Sequence, residues 1–347
     1  MSKQSCMNNS KIKLSTSLFS LALEWNSGNY SLEQMIAKVK ELDLGPGLEI
    51  IGFQSLKGFP HLSAETLAHV NNLIDKYGLE RACIDANVDV GIRRDRLLTV
   101  DETVSYIQPQ IWVAAKLGFP VLRVQMTAKP EVIRRLLPVA EKANVKLGME
   151  LHTPYLVDHP AVIELRELYD ELQSPYLGFI PDFGTSMRNI PDALLHSFRE
   201  VGVTNEQIAI TKEIWKKDIP TPAKFGELYE RASALGATAP QIGRLNMAFS
   251  MNGRQSIDAW KEIIPQTVHL HGKFYGFDEN GDEPSIDYAA ILKVFYDGGY
   301  NGYISSEYEG TAFTDEYTGF EMVQKHHALC KKVLKGLEER QFVHEAS

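Results

Sequence analysis

Eight short apolar runs punctuate the chain: Leu14–Leu21, Leu48–Phe53, Arg81–Val88, Val121–Met126, Lys146–His152, Leu177–Phe183, Thr267–Phe274 and Gly302–Tyr308. Runs of this length, bounded by turn residues, read as buried strands. Between most of them apolar residues recur at three- and four-residue spacing. Leu32–Leu42, Ser63–Tyr77, Val104–Leu117, Pro130–Ala143 and Tyr288–Gly298 are thereby predicted as helices. Gly118 stops one helix just before a strand, and Gly298-Gly299 does the same before the last strand. Strand and helix alternate from end to end, which implies βαβ units and a parallel sheet. Eight repeats favour an α/β fold of the (β/α)₈ TIM-barrel type over an open doubly wound sheet. No Gly-rich fingerprint follows the first strand, which weakens a dinucleotide-binding reading.

One connection departs from the repeat. About eighty residues separate Asp182 from the strand at Thr267, with helical stretches at Ile190–Phe198, Thr204–Lys217 and Phe225–Leu235. The expectation is one barrel domain over residues 1–347, with a helical insertion at about 190–262 between strands six and seven. Residues 1–12 read as a flexible tail, and a C-terminal helix, Phe320–Glu338, closes the barrel.

Polar residues interrupt the strands in a regular way. Side chains two apart on a strand share a face, so Glu150 pairs with His152, His269 and His271 pair with Lys273, and Glu307 pairs with Glu309. Asp182 stands at the end of its strand, and Cys83, Asp85, Asn87, Arg123 and Gln125 repeat the theme. Charges between apolar strand residues are costly unless paired or metal-bound. The C-terminal ends of barrel strands are where such enzymes assemble their sites. Three carboxylates, Glu150, Asp182 and Glu307, and one imidazole, His269 or His271, all from four strands, suit one divalent ion: Mn²⁺ first, with Mg²⁺, Fe²⁺, Co²⁺ or Zn²⁺ compatible. The competing reading is an ionic network in which Lys273 and Arg123 satisfy the acids without metal.

Composition narrows the class further. With 44% apolar and 23% charged residues, the 347-residue chain has the make-up of a globular protein. A net charge of -9 argues against a nucleic-acid surface. Three scattered cysteines, Cys6, Cys83 and Cys330, form no zinc or redox motif and fit a reducing compartment. No apolar run is long enough to span a membrane, and the polar N-terminus does not read as a secretory signal, so a cytoplasmic location is expected. The acidic loop Gly276–Pro284 lacks calcium-loop spacing and reads as a surface loop.

The order Glu150, Asp182, His271-x-Lys273, Glu307 resembles the xylose isomerase-like barrels, which include sugar and sugar-phosphate isomerases and epimerases. The resemblance spans roughly Leu14 to Leu337 and implies that these four residues hold the divalent metal, with His271 rather than His269 as ligand because it precedes x-Lys. Two departures stand out. Many members carry Asp-x-x-His where Asp182 is followed by Phe183, Gly184 and Thr185, and many carry Asp where Phe274 stands. Both point away from ordinary aldose isomerisation. The stretches MELHTP, IPDFG, HLHGKFYGFDENGDEPSIDY and GYISSEYEG are similar to the large (alpha) subunit of bacterial C-glycoside deglycosidases. That resemblance implies metal-dependent cleavage of 3-oxo-C-glycosides and a hetero-oligomer with a small β-rich subunit. The alternatives are a metal-dependent sugar isomerase or epimerase, a 3-oxo-O-glycoside lyase, an abasic-site type endonuclease, and a non-enzymatic scaffold.

All the enzymatic sugar readings share one step, removal of a proton beside a carbonyl, with a metal to stabilise the oxyanion. His152 is the first candidate base and His269 the second, with Lys273 or Glu309 ordering substrate hydroxyls. Arg123, Gln125, Tyr155, Phe274 and Tyr308 are candidate substrate contacts, the aromatics by stacking on a sugar ring or aglycone.

Overall fold

A computed structural model describes residues 12–345. Residues 1–11 of the expected tail, with Cys6, lie outside the described residues, whereas Ile12 is buried in the core. Eight strands form one parallel sheet: β1 (Lys13–Ser17), β2 (Gly47–Ile51), β3 (Glu80–Asp85), β4 (Val121–Val124), β5 (Lys146–Leu151), β6 (Leu177–Pro181), β7 (Leu270–Phe274) and β8 (Tyr303–Tyr308). They run in the order β6-β5-β4-β3-β2-β1-β8-β7. Isolated parallel bridges Phe179–Thr267 and Asp182–His271 join β6 to β7 and close the ring. The result is the (β/α)₈ barrel that the strand–helix alternation implies.

Local sequence explains the surrounding layer. Ser31 and Thr99 open helices Leu32–Glu41 and Val100–Leu117 with capping boxes completed by Gln34 and Glu102. Helix Pro130–Ala143 buries Val132, Ile133, Leu136, Leu137 and Ala140, one stripe at helical spacing. Gly118 ends its helix at φ +76°, a conformation that costs glycine nothing.

The predicted strands run past the observed ladders at their C-terminal ends. Leu18–Leu21 forms a 3₁₀ turn, and His152 and Asp182 lie one residue beyond β5 and β6, Asp182 keeping only its isolated bridge to His271. A barrel strand must leave its ladder to present side chains at the mouth, and alternation alone does not mark where that happens. The long connection after β6 folds as helices Asp192–Glu200, Asn205–Trp215, Thr221–Ala234, Ala239–Leu245 and Met247–Ser250. It returns to the mouth side of the barrel: Gln255 Oε1 accepts from Val157 N, in the loop after β5, at 2.6 Å. Trp215 Nε1 donates to Asn252 O at 2.8 Å and pins the lobe to its own return segment. Among the described residues no helix is long and apolar enough to cross a membrane.

Candidate metal centre

Four strands deliver the expected ligands to one point. Glu150 from β5, Asp182 just after β6, His271 from β7 and Glu307 from β8 each place a ligand atom within 4.8 Å of the other three. The β7–β8 register sets Lys273 opposite Glu307, which brings the two alternating inward rows level. His271 Nδ1 lies 2.9 Å from Glu150 Oε1 and 3.3 Å from Glu307 Oε1. One imidazole nitrogen faces two carboxylates, and it holds at most one proton to share between them. Glycine at position 184 lets this packing occur: a Cβ there would lie 2.9 Å from Lys273 Cδ and 3.0 Å from Asp182 Oδ1.

Charge crowding governs the protonation of this cluster. Burial opposes a charge on His271, yet Glu307, Glu49 and Glu150 hold its pKa well above the ordinary imidazole range. Burial pushes the Glu307 carboxyl well up despite His271 and Lys273. Glu150 goes the other way, because Arg123 and His271 outweigh its burial and keep it ionised. Arg123 bridges Glu150, at 3.4 Å from Nε, and Asp85, at 3.1 Å from Nη2. Burial raises Asp85 to about 7 even so. These oxygen and nitrogen donors, with a surplus of carboxylates over nearby cations, are compatible with a divalent ion. The residues fit the metal that the sequence implies.

Above this floor opens a cavity of about 350 Å³ lined by Arg123, Gln125, Glu150, His152, Tyr155, Lys273, Glu307 and Glu309, together with Phe19, Met126, Thr127 and Thr153. Its size suits a small ligand. Lys273 lies between Asp182 and Glu309, at 2.7 and 3.3 Å. The pair with Asp182 is a buried ion pair rather than a directed hydrogen bond. Gln125 Oε1 accepts from Val88 N at 3.0 Å and braces the loop after β3. His152 is about a third exposed, with Nε2 4.0 Å from Asp182 Oδ2. Its Nδ1 meets the Thr153 carbonyl at 2.9 Å, and a carbonyl can only accept, so Nδ1 carries the proton and Nε2 the lone pair.

Three expected site residues stand elsewhere. Phe274 is fully buried outside the barrel ring, stacked on His326 with centroids 4.4 Å apart and planes at 4°. Tyr308 also stacks against Phe274, with centroids 5.4 Å apart. Each neighbours an inward-facing residue, Lys273 or Glu307, so strand alternation turns it toward the helix layer. His269 precedes β7 and lies below the mouth, sealed from solvent against Glu49 and Ser305 at 2.7 and 2.9 Å. It does not line the cavity. The Gly276–Pro284 loop is also not wholly surface, since Glu283 is buried and accepts from the backbone N–H groups of Ser285 and Ile286.

Glu49 is the residue that sequence reasoning missed. It sits in β2 between Leu48 and Ile50, fully buried, where a single acid in an apolar strand was the available signal. Its Oε2 lies 3.3 Å from His271 Nε2 as well as 2.7 Å from His269 Nε2. The two histidines outweigh the cost of its burial and hold its carboxyl well below the usual range.

Comparison with known proteins places the chain in a family and agrees with its fold. A profile of the xylose isomerase-like TIM barrel family matches residues 36–326. The chain is 38% identical over 335 residues to the 3'-dehydrocarminate deglycosidase alpha subunit of a Microbacterium species, covering 94% of this chain and 96% of that one. It is 36% identical over 329 residues to a C-glycoside deglycosidase alpha subunit of Arthrobacter globiformis, covering 94% and 93%. A crystal structure of D-allulose 3-epimerase from Methylomonas sp. has the same fold, with a TM-score of 0.56 at 13% identity, covering 93% of this chain and 98% of that chain.

Proposed function

The chain belongs to the xylose isomerase-like TIM barrel family, and from that membership we propose that it is the catalytic alpha subunit of a metal-dependent C-glycoside deglycosidase, acting on 3-oxo-C-glycosides. The observation that carries this reading is the convergence of Glu150, Asp182, His271 and Glu307 beneath a cavity that also presents His152. End-to-end similarity to relatives named for this activity supports the substrate class. The alpha-subunit name of those relatives supports a second subunit in the working enzyme.

The four ligand residues would hold a divalent cation, Mn²⁺ foremost, which supplies Lewis-acid polarisation of a sugar carbonyl when bound. His152 Nε2 is the base. It takes the proton from C2 of the 3-oxo sugar, and the C–H electron pair passes into the enolate. The enolate then expels the aglycone from C1, the C1–C bond pair leaving with the aglycone carbon, which gains a proton. The products are a 1,2-unsaturated 3-oxo sugar and the free aglycone, with no net redox change. Thr153 O fixes the imidazole so that its lone pair faces the cavity. Lys273 and Glu309 hold sugar hydroxyls, Arg123 keeps Glu150 ionised, and Tyr155 and Phe19 contact the aglycone. The reaction runs in a cytoplasmic compartment that keeps Cys83 and Cys330 reduced.

The test is release of the aglycone chromophore from a 3-oxo-C-glucoside, with the candidate small subunit present or omitted and Mn²⁺ supplied. Release that depends on Mn²⁺ supports the reading. Exchange of a ketose α-proton with solvent and no aglycone release would replace it with an isomerase or epimerase, and release from O-glucosides alone would place the chain among O-glycoside lyases.

A further inference from the structure

Glu49 has no place in the ligand set and does not line the cavity, yet it is sealed in the barrel against the ligand histidine. We propose that Glu49 is a positioning residue that selects which nitrogen of His271 binds the metal, an inference that rests on the metal centre proposed above.

The two nitrogens of His271 face opposite ways. Nδ1 looks at Glu150 and Glu307, at 2.9 and 3.3 Å. Nε2 looks at Glu49 Oε2, at 3.3 Å, a close charge contact without hydrogen-bond alignment, and it makes no hydrogen bond to any group. Both nitrogens face carboxylates that only accept, so once a cation among Glu150, Asp182 and Glu307 takes Nδ1, the proton that His271 keeps is on Nε2, facing Glu49. The lone pair of a neutral His271 is then on Nδ1, among the carboxylates. There it repels Glu150 and Glu307 unless a cation sits between them. Holding the far nitrogen's proton with a buried carboxylate fixes both tautomer and ring orientation.

Glu49 is itself held for this task. His269 Nε2 lies 2.7 Å from the same Oε2, and the two rings stand nearly perpendicular, at 87° with centroids 5.6 Å apart. His269 therefore anchors the carboxylate from below while His271 meets it from above. The second oxygen, Oε1, is buried with no hydrogen-bond partner. A carboxylate kept so incompletely paired in the barrel interior is costly, and stability alone would favour an apolar residue beside Leu48 and Ile50. The rival arrangement has Glu49 as a ligand itself, since Glu49, Asp85, His271 and Glu307 also lie close enough to share an ion.

The experiment compares the full chain with its Glu49→Gln variant, which keeps the shape and an acceptor oxygen but not the charge. Mn²⁺ dissociation constants are read by electron paramagnetic resonance, and the imidazole nitrogens of His271 are read by ¹⁵N NMR in the Zn²⁺-loaded chain. The expected results are Nδ1 metal-bound and Nε2 protonated in the native chain, and Mn²⁺ binding weakened about 10- to 100-fold in the variant. Ser305→Ala, which removes a contact of His269 alone, leaves both readouts within about twofold. Affinity unchanged in Glu49→Gln, or metal found on Nε2 in the native chain, overturns the role of Glu49 and leaves the metal centre standing. A native chain that takes up no Mn²⁺ overturns both. The NMR arm needs no substitution, so the proposal stays open to refutation if the variant does not fold.

Discussion

The ammonium of Lys273 lies 2.7 Å from the carboxylate of Asp182 in the barrel interior, and both side chains are shut away from solvent. Asp182 and Glu309 together hold the lysine well above its ordinary pKa, against the effect of burial. Lys273→Met keeps the stem volume and removes the charge, which strands a buried carboxylate. Breaking a buried pair from one side costs about 3–5 kcal/mol. Urea unfolding of the metal-free chain should show a loss of this order, and a change below about 1 kcal/mol would mean that the pair is already compensated by other groups.

Metal binding should compete with protons. His271 is raised above its ordinary value, so in the metal-free chain its charge contributes stability that is full below pH about 6.5 and is lost as pH rises through the raised value. A ligand nitrogen must give up its proton, so the ion displaces one from His271 throughout that window. Glu307, also raised, adds to the release. Mn²⁺ affinity is expected to rise with pH, by up to about tenfold per pH unit for each proton displaced, and titrations at pH 6, 7 and 8 check it. A flat profile would show that the cluster does not bind the ion through these groups.

His152 should matter for turnover and not for metal. Its Nε2 stands 4.0 Å from Asp182 Oδ2 without joining the ligand set, and its Nδ1 is tied to Thr153 O. His152→Ala is expected to lower kcat by about 10²- to 10⁴-fold, the range for loss of a general base. Elemental analysis of the variant should still find metal at the native stoichiometry. Normal turnover with normal metal would remove His152 as the base.

Phe274 and Tyr155 should separate packing from recognition. Phe274 is fully buried and stacked against both His326 and Tyr308, so Phe274→Ala should cost about 3–5 kcal/mol of stability. Phe274→Leu, a milder change, should leave KM near native. Tyr155 lines the cavity, and Tyr155→Ala should raise KM for a glycoside with a large aglycone while Tm stays close to native. The opposite assignment, a KM effect at Phe274 and none at Tyr155, would contradict the cavity lining described above.

Much of this architecture was legible in the residues. Strand–helix alternation carried the barrel, because each βαβ unit must bury a two-faced apolar strand beneath an amphipathic helix, and that requirement writes itself into local periodicity. Glu150, Asp182, His271 and Glu307 stood out because a charge within an apolar strand is rarely free of purpose. Strand parity also held what was needed to turn Phe274 and Tyr308 away from the mouth, since each adjoins an inward-facing residue. What only the tertiary structure decided is depth. Periodicity tells which face a side chain takes and not how far along the barrel axis its strand has been shifted. So His269 and His271, alike in sequence, part company: one is sealed below against Glu49 and Ser305, and the other stands among the carboxylates. Glu49 itself could be assigned only when closure of the ring brought β2 across from β7, since a contact between residues 220 apart leaves no trace in either segment's own pattern.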